Sequence, residues 1–65
     1  MKDEWDSQLG KGRDVHYSIE PSAGPIWRIT AQARESVILH QASLQGPIGR
    51  QEAEAYFRVD LMKER

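Results

Sequence analysis

The last seventeen residues, from Gly49 to Arg65, constrain the fold most, because their apolar side chains recur with the period of an α-helix. Successive helical residues are about 100° apart around the axis, so this segment has two apolar stripes on nearly opposite sides. The first stripe contains Ala53, Tyr56, Phe57 and Leu61, and the second contains Ala55, Val59 and Met62. The first stripe can cover a small sheet, which leaves the second for solvent or for a partner.

The charges of this segment also favour a helix. Glu52 and Glu54 lie near its start and Lys63 and Arg65 near its end, which matches the helix dipole.

The chain has 65 residues and no cysteine, so we expect one domain with a thin core and no disulfide or thiolate metal site. Its longest apolar run, Val37–Leu39, is far too short to span a bilayer. The first six residues, MKDEWD, are polar and acidic and do not resemble a signal peptide. These features predict a soluble cytoplasmic protein with no membrane partner.

Two segments alternate between apolar and polar residues with the period of a half-buried strand. They are Val15–Glu20 and Ile26–Gln32, and the intervening PSAGP sequence is a strong turn signal. The pair predicts an antiparallel hairpin.

Residues 33–45 are compatible with a strand or a helix. The run Ser36–His40 is β-branched and apolar enough for a third strand, whereas a helix from Ala31 to Leu44 would have a poor apolar stripe. The strand is therefore preferred.

Residues 1–14 contain only two large apolar side chains, Trp5 and Leu9, and the Gly10–Gly12 step interrupts local order. We expect a flexible N-terminal tail there.

The predicted fold class is α+β: a three-stranded antiparallel β-meander with one C-terminal helix packed on one face. The predicted organisation is a tail over residues 1–14 and a single small domain over residues 15–65. The predicted core is Val15, Tyr17, Ile19, Trp27, Ile29, Val37, Leu39, Ala53, Phe57 and Leu61.

No motif predicts catalysis, a metal site or a cofactor. The two histidines, His16 and His40, lie in no H-x-x-x-H or H-E-x-x-H pattern, and a zinc site needs three or four fixed ligands. The serines have no G-x-S-x-G context, and the glycines form neither a P-loop nor a dinucleotide fingerprint. We therefore expect no enzymatic activity and no small-molecule substrate.

Nucleic-acid binding through the outer sheet face is the alternative function. Lys11 and Arg13 precede the first predicted strand, and Arg28 and Arg34 lie on or near its outer face. However, the net charge is −1, and the strand aromatics, Tyr17 and Trp27, point towards the predicted core.

The β–β–β–α order resembles the second half of a double-stranded-RNA-binding domain in topology alone. At the helix start, where such domains carry lysines, this chain has Gly49-Arg50-Gln51-Glu52.

Protein binding is the function that the sequence favours. The second stripe, Ala55, Val59 and Met62, has the i, i+4, i+7 spacing of helical interfaces, and Trp5 could dock on a partner. We expect a non-enzymatic interaction module that binds an unidentified protein or forms a homodimer through its helix. Another arrangement packs Trp5 and Leu9 over the second stripe and leaves no interface. Chains of this size and class also include phage or mobile-element inhibitors of host machinery, such as anti-defence proteins, which is an association from size and fold only.

Overall fold

The computed structural model describes residues 2–10 and 12–63, which form a four-stranded antiparallel sheet and one helix. The elements are β1 (Asp3–Leu9), β2 (Arg13–Pro21), β3 (Ile26–Ala33), β4 (His40–Gln45) and α1 (Arg50–Lys63). Neighbouring strands in the sheet are also consecutive in the chain, in the order β1-β2-β3-β4. The α+β class, the antiparallel sheet and the C-terminal helix are confirmed. The prediction of three strands is wrong, because an additional strand, β1, precedes the β–β–β–α order.

The additional strand, β1, lies in the segment that was predicted to be a flexible tail. Its side chains alternate: Trp5, Ser7 and Leu9 are half-buried, while Glu4, Asp6 and Gln8 are exposed. Trp5 pairs with Tyr17 across β1 and β2, and Gly10 and Gly12 make the turn with positive φ angles of 64° and 73°. Five of the seven residues of this strand are charged or polar, so its composition resembles that of a tail, although an edge strand with one solvated face tolerates such a composition.

The hairpin of β2 and β3 confirms the predicted pairing and its inward face. Val15, Tyr17 and Ile19 on β2 are buried. Ile29 lies directly opposite Ile19 on β3 and is fully buried, and Gly24 has a φ of 58° in the turn. Trp27 is only half-buried. Ala31, which the alternation predicts to face inward, and Ala33 complete the core on β3, although neither is in the predicted core.

The strand predicted at Ser36–His40 is displaced towards the C-terminus. β4 begins at His40, opposite Ala31, and β3 continues to Ala33, so residues 34–39 must turn the chain back. Ser36 supports this turn, since its backbone N–H bonds to Ala33 O at 3.0 Å and its hydroxyl accepts the Ile38 N–H at 3.0 Å. Val37 and Leu39, predicted in the core, are 94% and 48% exposed, and that part of the core prediction is wrong.

Helix α1 packs its predicted first stripe across the two central strands. Ala53, Phe57 and Leu61 are at most 1% exposed, whereas Tyr56 lies at the margin and is 49% exposed. Glu52 Oε1 accepts the Gly49 backbone N–H at 2.9 Å, which is half of a capping box at the start of the helix. The last two residues of the predicted helix, at 64 and 65, lie outside the described residues.

We predict that Gly46→Ala destabilises the fold by about 1–3 kcal/mol, as overpacking of a filled site does. A Cβ at Gly46 would overlap the Trp27 indole, and the Gly46 N–H is held by a 2.8 Å bond to Pro25 O. Urea unfolding measures the effect. The penalty should shrink when Trp27→Leu is made first, which a double-mutant cycle detects. An equal penalty in both backgrounds would contradict this account.

Candidate interaction surfaces

The second stripe of α1 lies on the side of the helix away from the sheet. Val59 is 58% exposed and Met62 is 67% exposed, and Ala55 is exposed as well. Because Ala53, Phe57 and Leu61 already bury the opposite side, the sheet cannot also cover this stripe. The structure thus brings three of the predicted partner-binding residues together on one exposed face.

Trp5, the fourth predicted partner-binding residue, is engaged within the chain. Its ring stacks on Tyr17, with a centroid distance of 5.3 Å and an interplanar angle of 15°. Its Nε1 donates to Glu54 Oε2 at 2.8 Å, and the Arg50 guanidinium lies 4.9 Å from the ring centroid. We call Trp5, Tyr17, Glu54 and Arg50 the tryptophan clamp, because they join β1, β2 and α1.

The start of the helix is tied to β1 by a second contact beside the clamp. Arg50 donates from Nε and Nη2 to the two carboxylate oxygens of Asp3, both at 2.8 Å. The hydrogen bonds from Arg50 lower the pKa of Asp3, and the same bonds raise the pKa of Arg50. At the other end of the helix, Arg13 Nη1 donates to Leu61 O at 2.6 Å.

These contacts leave the second stripe uncovered. Trp5 lies against the flank of α1 that faces β1, and Leu9 is near Met62 at the edge of a shallow hollow. Val59 remains 58% exposed, so folding Trp5 and Leu9 over the whole stripe is not what the structure shows.

The outer face of the sheet carries a cluster that the sequence analysis missed. His16 Nδ1 lies 2.7 Å from Asp6 Oδ1, and its Nε2 lies 2.9 Å from Glu4 Oε1. Hydrogen bonds to Asp6 and then to Glu4 raise the pKa of His16. The bond to His16, with the charge of Lys2, lowers the pKa of Glu4. The signal for this cluster is the spacing of Glu4 and Asp6, which is visible only once residues 3–9 are taken as a strand.

The two histidines lie on opposite faces of the sheet. His40 is on the helix side, with its ring centroid 6.2 Å from that of Phe57, and so cannot approach His16. Over residues 2–10 and 12–63, no group of three histidine, cysteine or acidic side chains is placed to hold a metal ion.

The residues proposed for nucleic-acid binding are not brought together. Arg28 lies on the outer face opposite Glu20, and Arg34 Nη1 is 3.5 Å from Asp14 Oδ2. Arg13 is on the helix side, and Lys11 lies outside the described residues. The acids on this face are Glu4, Asp6, Asp14 and Glu20. Each of these acids lies beside or opposite a basic side chain, Lys2, His16, Arg34 or Arg28, so the face has mixed charge rather than the excess of positive charge that favours phosphate binding.

Comparisons of this chain with protein-family models, with curated proteins and with solved structures found no match. Within the part of the chain that the structure describes, no helix has the length and apolar character needed to cross a bilayer.

We predict that the stabilisation contributed by His16 is lost as the pH rises. The pKa of His16 is higher in the folded chain than its ordinary value of about 6.5. Its contribution to the free energy of unfolding is therefore complete below pH 6.5 and is lost as the pH rises through the pKa of the folded state. Urea unfolding of the wild type and of His16→Gln at pH 5.5, 7 and 8.5 measures this effect. The difference between the two proteins should be largest at pH 5.5. A difference that is constant over this range would contradict the prediction.

Proposed function

We propose that this chain is a small non-enzymatic interaction module that binds another protein through the outer stripe of α1. The observation that carries the proposal is the exposure of Val59 and Met62 in a helix whose opposite side is already buried. Neither the sheet nor Trp5 covers them, so an internal packing role does not account for these side chains.

The chemistry of the stripe suits a protein surface. Its residues are spaced i, i+4 and i+7, as in helices that lie in the apolar grooves of partners, and Met62 adapts its shape readily. Tyr56 adds a half-exposed aromatic ring at the margin. The clamp holds the N-terminal half of α1 against the sheet, and the helix is therefore presented as a rigid element.

An inhibitor that occupies the surface of a host protein would be one specific form of this function. The mixed charge of the outer sheet face favours no second function, and we propose none.

We predict that Val59→Glu abolishes partner capture and leaves the fold intact. A glutamate in the centre of the stripe would place an unpaired charge in an apolar interface. The immobilised full-length chain is compared with Val59→Glu in capture from the native host's extract, with mass spectrometry of the retained proteins. Ser22→Glu is the matched control, since it makes the same charge change at an exposed position between β2 and β3, outside α1.

Wild type and Ser22→Glu should retain the same protein, and Val59→Glu should lose it while its circular dichroism and urea midpoint stay unchanged. Unfolding of Val59→Glu would show that the stripe is core. Retention of the same protein by Val59→Glu would show that binding uses another surface, and either result contradicts the proposal.

A further inference from the structure

The two edge strands of the sheet differ in charge. β1 carries three carboxylates, Asp3, Glu4 and Asp6, whereas β4, with the sequence HQASLQ, contains no Asp, Glu, Lys, Arg or Pro. Charged residues and proline are the usual means by which edge strands avoid pairing with other chains. The β4 edge has neither.

The segment that leads into β4 is exposed and apolar. Val37 is 94% exposed, and Ile38 and Leu39 are about half exposed. Three consecutive apolar side chains in contact with solvent, beside an uncharged strand edge, mark an interaction surface rather than scattered surface apolar residues.

From this contrast we infer that β4 pairs with β4 of a second copy of the chain, making a continuous eight-stranded antiparallel sheet. Pairing through β1 would bring like charges together across the interface, which is destabilising, whereas two β4 edges meet without any Asp, Glu, Lys or Arg. A second copy is therefore complementary to this edge in charge, and a two-fold axis lets each strand satisfy the other's edge hydrogen bonds. The surface is distinct from the stripe proposed for partner binding.

The alternation of β4 limits how the two copies can meet. Half-buried His40, Ala42 and Leu44 face the helix, and exposed Gln41, Ser43 and Gln45 face away. Directly opposite residues of antiparallel strands share a face, so one residue must lie opposite its own copy across the two-fold axis. The registers that pair most of β4 place Ala42 or Ser43 at this position. In either register, Ser43 lies directly opposite or diagonal to Ser43 of the second copy, and the half-buried side chains of both strands come together.

Ser43 therefore allows a test that does not depend on the register. The mass of the full-length chain is measured by sedimentation equilibrium from about 1 µM to 500 µM, and it should rise from 7.5 kDa towards twice that value. Ser43→Glu and Ser43→Lys should each weaken the dimer roughly tenfold or more, because like charges would meet across the axis. An equal mixture of the two variants should restore it, because opposite charges then meet.

Two controls separate this inference from the proposed function. Gln8→Lys adds a charge on the outer face of the other edge strand, and Val59→Glu adds one to the helix stripe; both should leave the dimer unchanged. Unfolding curves verify that the Ser43 variants are folded.

A 7.5 kDa mass at every concentration would overturn the inference, and so would a dimer that survives both Ser43 variants. A dimer lost in Val59→Glu but kept in the Ser43 variants would assign self-association to the helix, which also overturns it.

Discussion

A single helix of fourteen residues has to cover one face of a four-stranded sheet, and the rest of the structure depends on how it does so. A helix with its side chains is about 10 Å wide, and strands are about 4.8 Å apart, so one helix covers roughly two strands. Helix α1 takes the central pair, where Ala53, Phe57 and Leu61 meet Val15, Tyr17, Ile19 and Ile29. The two outer strands must be held by other means.

The two edge strands, β1 and β4, are held against the helix by different contacts, and this difference leaves different surfaces exposed. β1 is bonded to the helix through the tryptophan clamp and the Asp3–Arg50 pair, and its outer face is occupied by the His16 cluster. β4 meets the helix through the His40 ring against Phe57 and has an uncharged edge. Trp5 is engaged within the chain by the tryptophan clamp. We therefore propose the outer stripe of α1 for binding another protein and the β4 edge for self-association.

The hydrophobic periodicity of the sequence predicted the β2–β3 hairpin and the C-terminal helix. The hairpin and the buried stripe of α1 follow from alternation and from helical spacing, and both are present in the structure. β1 could not be recognised by hydrophobicity, since Trp5 and Leu9 are its only large apolar residues. It is held by pairing with β2 and by contacts with helix residues more than forty positions away. The strand prediction at Val37–Leu39 was wrong for the opposite reason. The apolar character of these residues suggested a strand, but the pairing of His40 with Ala31 places them in the connection between β3 and β4.

The candidate surfaces also divide into one that local periodicity predicts and others that depend on strand pairing. The exposure of Val59 and Met62 was implied once Phe57 and Leu61 were assigned to the core, because the two stripes oppose each other on one helix. The His16 cluster and the role of Trp5 depend on the register of β1 against β2, which no local pattern contains.

The central claim is that residues 3–9 are an integral strand rather than a tail, and amide hydrogen exchange followed residue by residue by NMR tests it most directly. The account predicts that the β1 amides bonded to β2 exchange slowly, with protection approaching that of the β2–β3 hairpin. Exchange of all amides in residues 3–9 at the rate of an unstructured chain, with β2 and β3 still protected, would contradict it.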